Sequence, residues 1–145
     1  TMLKGVPAIL PPELLKILCA MGHGDEITLG DANFPGESCC RTVVRMDGHG
    51  IPEILDAILT LMPLDPYVEH PAALMQVVPG DDAQTPIWDA YRDILQKHEL
   101  RGGACLEEVE RFAFYDRVRE RSVAVIMSGE KALYANLILK KGVIN

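Results

Sequence analysis

Ser122-Val123-Ala124-Val125-Ile126-Met127-Ser128-Gly129 is the stretch whose reading decides the fold. It is apolar almost throughout, as a strand is when both of its faces are covered; a strand with one face in water alternates instead. Working outward, LYANLILKKG (133–142) reads as one further and last strand. On the other side, FYDRVRER reads as a helical turn or two and CLEEVERF as the seat of a short strand, both after the Gly102-Gly103 break. Further upstream, Thr85 and Pro86 suit a helix start, and Ile87, Tyr91, Ile94 and Leu95 give that helix one inner face to about His98, with Trp88 packed on it. ALMQVVP (73–79) is a strand, Ile51 to Met62 a helix closed by Pro63 and Pro66, and TVVRM (42–46) a strand. EITLG, from Glu26 to about Gly30, is the first strand. A helix opened by Pro11-Pro12-Glu13 and stopped by Gly22 precedes it, with Leu14, Leu15, Leu18 and Met21 as its apolar stripe. Helices alternating with apolar strands predict an α/β fold, a layered single domain over residues 1–145 with a mainly parallel central sheet flanked by helices.

The composition narrows the function. With 145 residues, 48% of them hydrophobic, the chain is ordinary globular material. Its net charge of −7 argues against a nucleic-acid backbone or an anionic membrane surface as partner. No stretch approaches the ~18 apolar residues of a membrane span. The N-terminus carries no secretory pattern. Cys19, Cys39, Cys40 and Cys105 form no C-x-x-C pair and no zinc spacing, so they are expected as reduced thiols in a cytoplasmic protein, with no metal and no cofactor. Gly-x-G-x-x-G, G-x-S-x-G and P-loop patterns are all missing.

In sheets of this kind, ligands gather at the carboxyl ends of strands. That rule selects Asp31, Ser128-Gly129 and the loop carrying Tyr134. Gly22-His23-Gly24-Asp25 places an imidazole, the side chain best suited to moving protons near neutral pH, between two glycines. Asp31 could accept hydrogen bonds from a polyol or orient a histidine. Tyr134 and Asn136 would point to one face if their segment is extended, and Arg111 stands before the aromatic cluster Phe112, Phe114 and Tyr115. Each of these also has a plainer explanation, as a helix-end histidine, a turn aspartate, an ordinary strand or a surface arginine. His49, His70 and His98 read as surface or loop histidines.

PELLKIL (12–18), MGHGDEI (21–27), DANFP (31–35), RFAFYDR (111–117) and SGEKALYANLILKKGV (128–143) together resemble the RbsD/FucU family of sugar mutarotases over nearly the whole chain. The MGHGDEI, ANFP and RFAFY runs favour its L-fucose mutarotase branch, and QTPIWDAYRDIL (84–95) resembles the animal versions. The resemblance implies an RbsD-like fold assembled as a ring-shaped homodecamer with active sites where subunits meet. It implies cofactor-free interconversion of the α and β anomers of L-fucose, with pyranose–furanose exchange of a sugar such as ribose as an extension. By position, His23 matches the family's proton donor, while Asp31, Arg111, Tyr134, Ala135 and Asn136 match its sugar-contacting residues. Ala135 stands where the family commonly has glycine; a positive φ there would make the extra methyl costly. The alternative function is a sugar-binding accessory that does not accelerate exchange.

Overall fold

In the computed structural model, which describes residues 1–145, all six strands join one sheet in the order β2-β5-β1-β6-β3-β4. The strands are β1 (Glu26–Gly30), β2 (Val43–Met46), β3 (Ala72–Met75), β4 (Leu106–Val109), β5 (Ser122–Ser128) and β6 (Leu137–Lys140). The helices are α1 (Pro12–Ala20), α2 (Gly36–Cys39), α3 (Ile51–Leu61), α4 (Pro86–His98) and α5 (Arg111–Arg121), with a 3-10 turn at Gly102–Cys105. The β1/β5, β2/β5 and β3/β4 pairings are parallel. β6 runs antiparallel to both β1 and β3, so the mainly parallel sheet is a mixed one.

The apolar run that opened the reading is β5, and its side chains divide between two cores. Ala124 and Ile126 join a core of 27 residues, shared with Leu14 and Leu18 of α1, Ile54 and Ile58 of α3, and Tyr91 and Leu95 of α4. Val125 and Met127 point the other way, into a core of nine with Phe34, Cys39, Phe114 and Val118. β6 divides likewise, Leu137 and Leu139 to one side and Ile138 to the other. Successive strand side chains face opposite ways, so a strand covered by helices on both faces must be apolar at every position.

Four local readings change. α2 was not foreseen: four residues carry no helical period, and Gly36 brings them so close to β5 that a Cβ would lie 2.6 Å from Met127 Sδ. The turn or two expected near Phe114 is an eleven-residue helix, because the Glu110 carboxylate accepts from the backbone N–H groups of Phe112 and Ala113 at 3.0 Å each. β3 ends at Met75 rather than residue 79. The last strand begins at Leu137 rather than 133, because Tyr134 adopts a left-handed φ of 56° that no strand contains.

Candidate functional site

A cavity of about 320 Å³ opens at the carboxyl ends of the parallel strands. Asp31 follows β1, Arg111 follows β4 as the first residue of α5, and Tyr134 and Asn136 sit in the loop leading into β6. All four line the cavity, together with Asn33, Phe34, Met75, Val78, Asp81, Tyr115 and Leu133. Residues scattered from 31 to 136 thus meet at one place, where open α/β sheets bind ligands.

The site's hydrogen bonds give each group a direction. The Asp31 backbone N–H donates to Asn136 Oδ1 at 2.8 Å. That fixes the amide with its oxygen occupied and its NH₂ free to donate. Asp31 Oδ1 accepts from the Asn33 N–H at 2.9 Å, and the residue is 9% exposed. Burial pushes the Asp31 carboxyl above its ordinary value, while the Asn33 and Phe34 N–H groups pull it back in part. Tyr134 donates its phenol hydrogen to Asp81 Oδ2 at 2.6 Å and accepts from the Val78 N–H at 3.2 Å. The Arg111 guanidinium lies over the Phe112 and Tyr115 rings at 5.5 and 5.8 Å from their centroids. That stacking leaves its N–H groups as donors.

Helix α4 holds the loop in shape. Trp88, buried as expected, donates its indole N–H to Tyr134 O at 2.8 Å, and the Tyr91 hydroxyl donates to Ala135 O at 2.5 Å. These two bonds offset the cost of the left-handed turn at Tyr134. They also correct the expectation that Tyr134 and Asn136 share a strand face: the pair meets in the cavity through a turn. Ala135 does not have a positive φ, and its side chain is fully buried in the larger core. The methyl is therefore accommodated; it is Tyr134, one residue earlier, that carries the unusual backbone.

His23 is not in this cavity. It precedes β1, whereas Asp31 follows it, and five strand residues span ~17 Å. Of its two neighbouring glycines, only Gly24 has a positive φ, 87°. His23 Nε2 lies 2.9 Å from Asp65 Oδ1, and the ring packs on Tyr67 with centroids 5.3 Å apart. Burial pushes the Asp65 carboxyl up, but the Tyr67 N–H and the His23 ring outweigh it and leave it below its ordinary value. A carboxylate that accepts from Nε2 leaves Nδ1 as the nitrogen free to exchange a proton. The His23 side chain is 44% exposed, so a neighbouring molecule could reach it.

Asp65 and Asp81 were not singled out in the sequence. Asp65 lies between Pro63 and Pro66, the prolines that close the helix; Asp81 lies in Pro79-Gly80-Asp81, which reads as the end of the strand. His49 pairs with Glu53 at 2.9 Å, His70 with Ala104 O at 3.2 Å, and His98, with a side chain 16% exposed, with Asp56 at 2.6 Å. No three His, Cys, Asp or Glu side chains cluster so as to hold a metal ion.

The RbsD / FucU transport protein family model matches residues 4–144. Fucose mutarotase of Homo sapiens is 53% identical over 98% of this chain and 94% of its own length. L-fucose mutarotase of Glaesserella parasuis is 50% identical over 98% of this chain and 96% of its own. Among solved structures, FucU from Bifidobacterium longum is 56% identical with a TM-score of 0.96, covering 98% of this chain and all of that one. The Streptococcus pneumoniae fucose mutarotase in complex with L-fucose is 47% identical with a TM-score of 0.91, covering 99% of this chain and all of that one. RbsD of Bacillus subtilis, complexed with D-ribose, is 22% identical with a TM-score of 0.75 and shares the fold. A match from residue 4 to residue 144, with about half of all positions identical to animal and bacterial fucose mutarotases, places this chain in the RbsD/FucU family.

Proposed function

We propose that this chain interconverts the α and β anomers of L-fucose, acting as one mutarotase domain over residues 1–145. The cavity is where the sugar sits, and a second copy of the chain supplies His23. One observation carries the reading: Asp31, Arg111, Tyr134 and Asn136 converge on one cavity in a chain with this degree of identity to fucose mutarotases.

Mutarotation opens a hemiacetal and closes it on the other face. The O1 proton leaves, the C1–O5 bond breaks with its electron pair going to O5, and O5 takes a proton. The aldehyde then turns about C1–C2 and the steps reverse. The cavity offers fixed partners for such a ring: Asp31 accepts, Arg111 donates, the Asn136 amide donates and the Tyr134 oxygen accepts. What it lacks is a side chain placed to hand a proton to O5, and the His23 imidazole is that group. These steps need no redox cofactor.

His23 and the cavity lie at opposite ends of β1, so a complete site takes one end from each of two copies. Both ends carry exposed apolar side chains of the kind a subunit contact covers. Phe112 and Leu133 stand 67% and 62% exposed beside the cavity, while Tyr67, 75% exposed, stands beside His23. Contact between two different patches is head-to-tail, and with a closing rotation it makes a ring. A ring-shaped decamer is the assembly the family resemblance supplies. Four free cysteines suit work in the cytoplasm.

Saturation-transfer NMR of L-fucose, with D-ribose for comparison, tests the reading. Exchange between anomers is expected to rise with protein concentration; fucose exchange at the uncatalysed rate would contradict it, and binding without acceleration would leave the accessory reading. In calorimetry, Asp31→Ala and Arg111→Ala are each expected to weaken L-fucose binding tenfold or more. Each deletion leaves a sugar hydroxyl unpaired in the cavity, at ~1–3 kcal/mol, and ~1.4 kcal/mol is one decade. Wild-type affinity in both variants would place the sugar elsewhere.

A further inference from the structure

Beside the groups matched by position, the cavity holds a second carboxylate, Asp81, in the loop between β3 and α4. The loop turns at Gly80, φ 89°, and closes on itself through Asp81 N–H to Val78 O at 3.0 Å and Ala83 N–H to Asp81 Oδ1 at 2.9 Å. Oδ1 is therefore engaged within the loop, and Oδ2 receives the Tyr134 phenol.

A phenol has one hydrogen and two lone pairs. At Tyr134 the hydrogen goes to Asp81 and one lone pair to the Val78 N–H, leaving one lone pair. Asp81, when ionised, can only accept, so the phenol cannot turn its hydrogen to the cavity without giving up a charge-assisted bond. The same bond holds the Asp81 carboxyl below its ordinary value and the Tyr134 phenol above its own. The backbone that places the phenol is fixed separately by Trp88 and Tyr91, so the polarity of the phenol is the part left to Asp81.

We propose that Asp81 is a positioning residue of the sugar site, which makes Tyr134 an acceptor toward the sugar by holding its phenol hydrogen. The proposal rests on the mutarotase reading. Its consequence is orientation: whatever faces Tyr134 must be a hydroxyl that donates. The ring oxygen, which has no hydrogen, is directed away from Tyr134 and toward donors, Arg111, the Asn136 amide or the imidazole of a second copy.

Asp81→Asn tests this with little change of shape. The amide oxygen keeps the Ala83 bond, but an NH₂ now faces the phenol and can only donate. The phenol must then accept from it and turn its own hydrogen elsewhere. L-fucose exchange is measured by saturation transfer across sugar concentrations, and L-fucose affinity by calorimetry, in wild type, Asp81→Asn, Tyr134→Phe and the double variant. Asp81→Asn is expected to raise KM and Kd about fivefold, within the range of couplings between contacting residues. The same substitution is expected to change neither value in the Tyr134→Phe background. Wild-type KM and Kd in Asp81→Asn would overturn the proposal. So would an equal loss in both backgrounds, which would mean that Asp81 acts through the loop or touches the sugar itself. Wild type without acceleration would instead overturn the mutarotase reading, and calorimetry on the same four proteins would still report the coupling.

Discussion

Alanine in place of His23 is expected to slow L-fucose anomer exchange by ~10²–10⁴-fold, the contribution of one well-placed proton-transfer group. The loss is expected in kcat, with fucose affinity largely kept, because His23 lies at the opposite end of β1 from the cavity proposed to hold the sugar. The fold should tolerate the change: the His23 side chain is 44% exposed, and Asp65, though buried, keeps the Tyr67 N–H as a donor at 3.0 Å. Exchange rates from saturation transfer, with circular dichroism to confirm folding, check it. A folded variant exchanging fucose at the wild-type rate would remove His23 from the mechanism.

Arg117→Ala is expected to destabilise the fold by about 3 kcal/mol. Glu26 is 1% exposed, and Arg117 grips it with two bonds of 3.0 Å. Removing one partner of a buried pair strands the other charge, at ~3–5 kcal/mol. Lys140, 3.5 Å from Glu26, remains to compensate in part and sets the lower end of that range. The effect should reach function, because Glu26 opens β1 only three residues after His23 and Arg117 ties that point to α5. Denaturant unfolding measures it; a loss under 1 kcal/mol would mean that Lys140 alone neutralises Glu26.

The fold was legible where one segment's own pattern decides its structure. The unbroken apolar run of β5 announced a strand covered on both sides, and Pro86 with the Ile87/Tyr91/Leu95 stripe announced α4. Where contacts from far along the chain decide, the sequence was silent. A local cause was also missed: α5 extends upstream because the adjacent Glu110 caps it, although glutamate is not among the residues that usually do so. The turn at Tyr134 exists because Trp88 and Tyr91, more than forty residues away, bond its carbonyl and the next. Asp31, Arg111, Tyr134 and Asn136 were found by position and by the strand-end rule, and the cavity unites them. Asp65 and Asp81 carry no local mark that separates them from turn aspartates. Their significance appears only when His23 and Tyr134 are seen beside them.

The separation of His23 from the cavity leads to the central claim, that a working site takes one end from each of two chains. Mixing His23→Ala and Arg111→Ala subunits tests it most directly after joint refolding or coexpression, with fucose kept well below the wild-type KM so that the loss of affinity leaves Arg111→Ala at about a tenth of the wild-type rate or less. In a randomly mixed head-to-tail ring, about one contact in four joins an intact His23 to an intact cavity. Fucose exchange per subunit should therefore recover to about a quarter of the wild-type rate. Mixed assemblies no more active than the two variants measured separately would mean that each chain carries a complete site of its own.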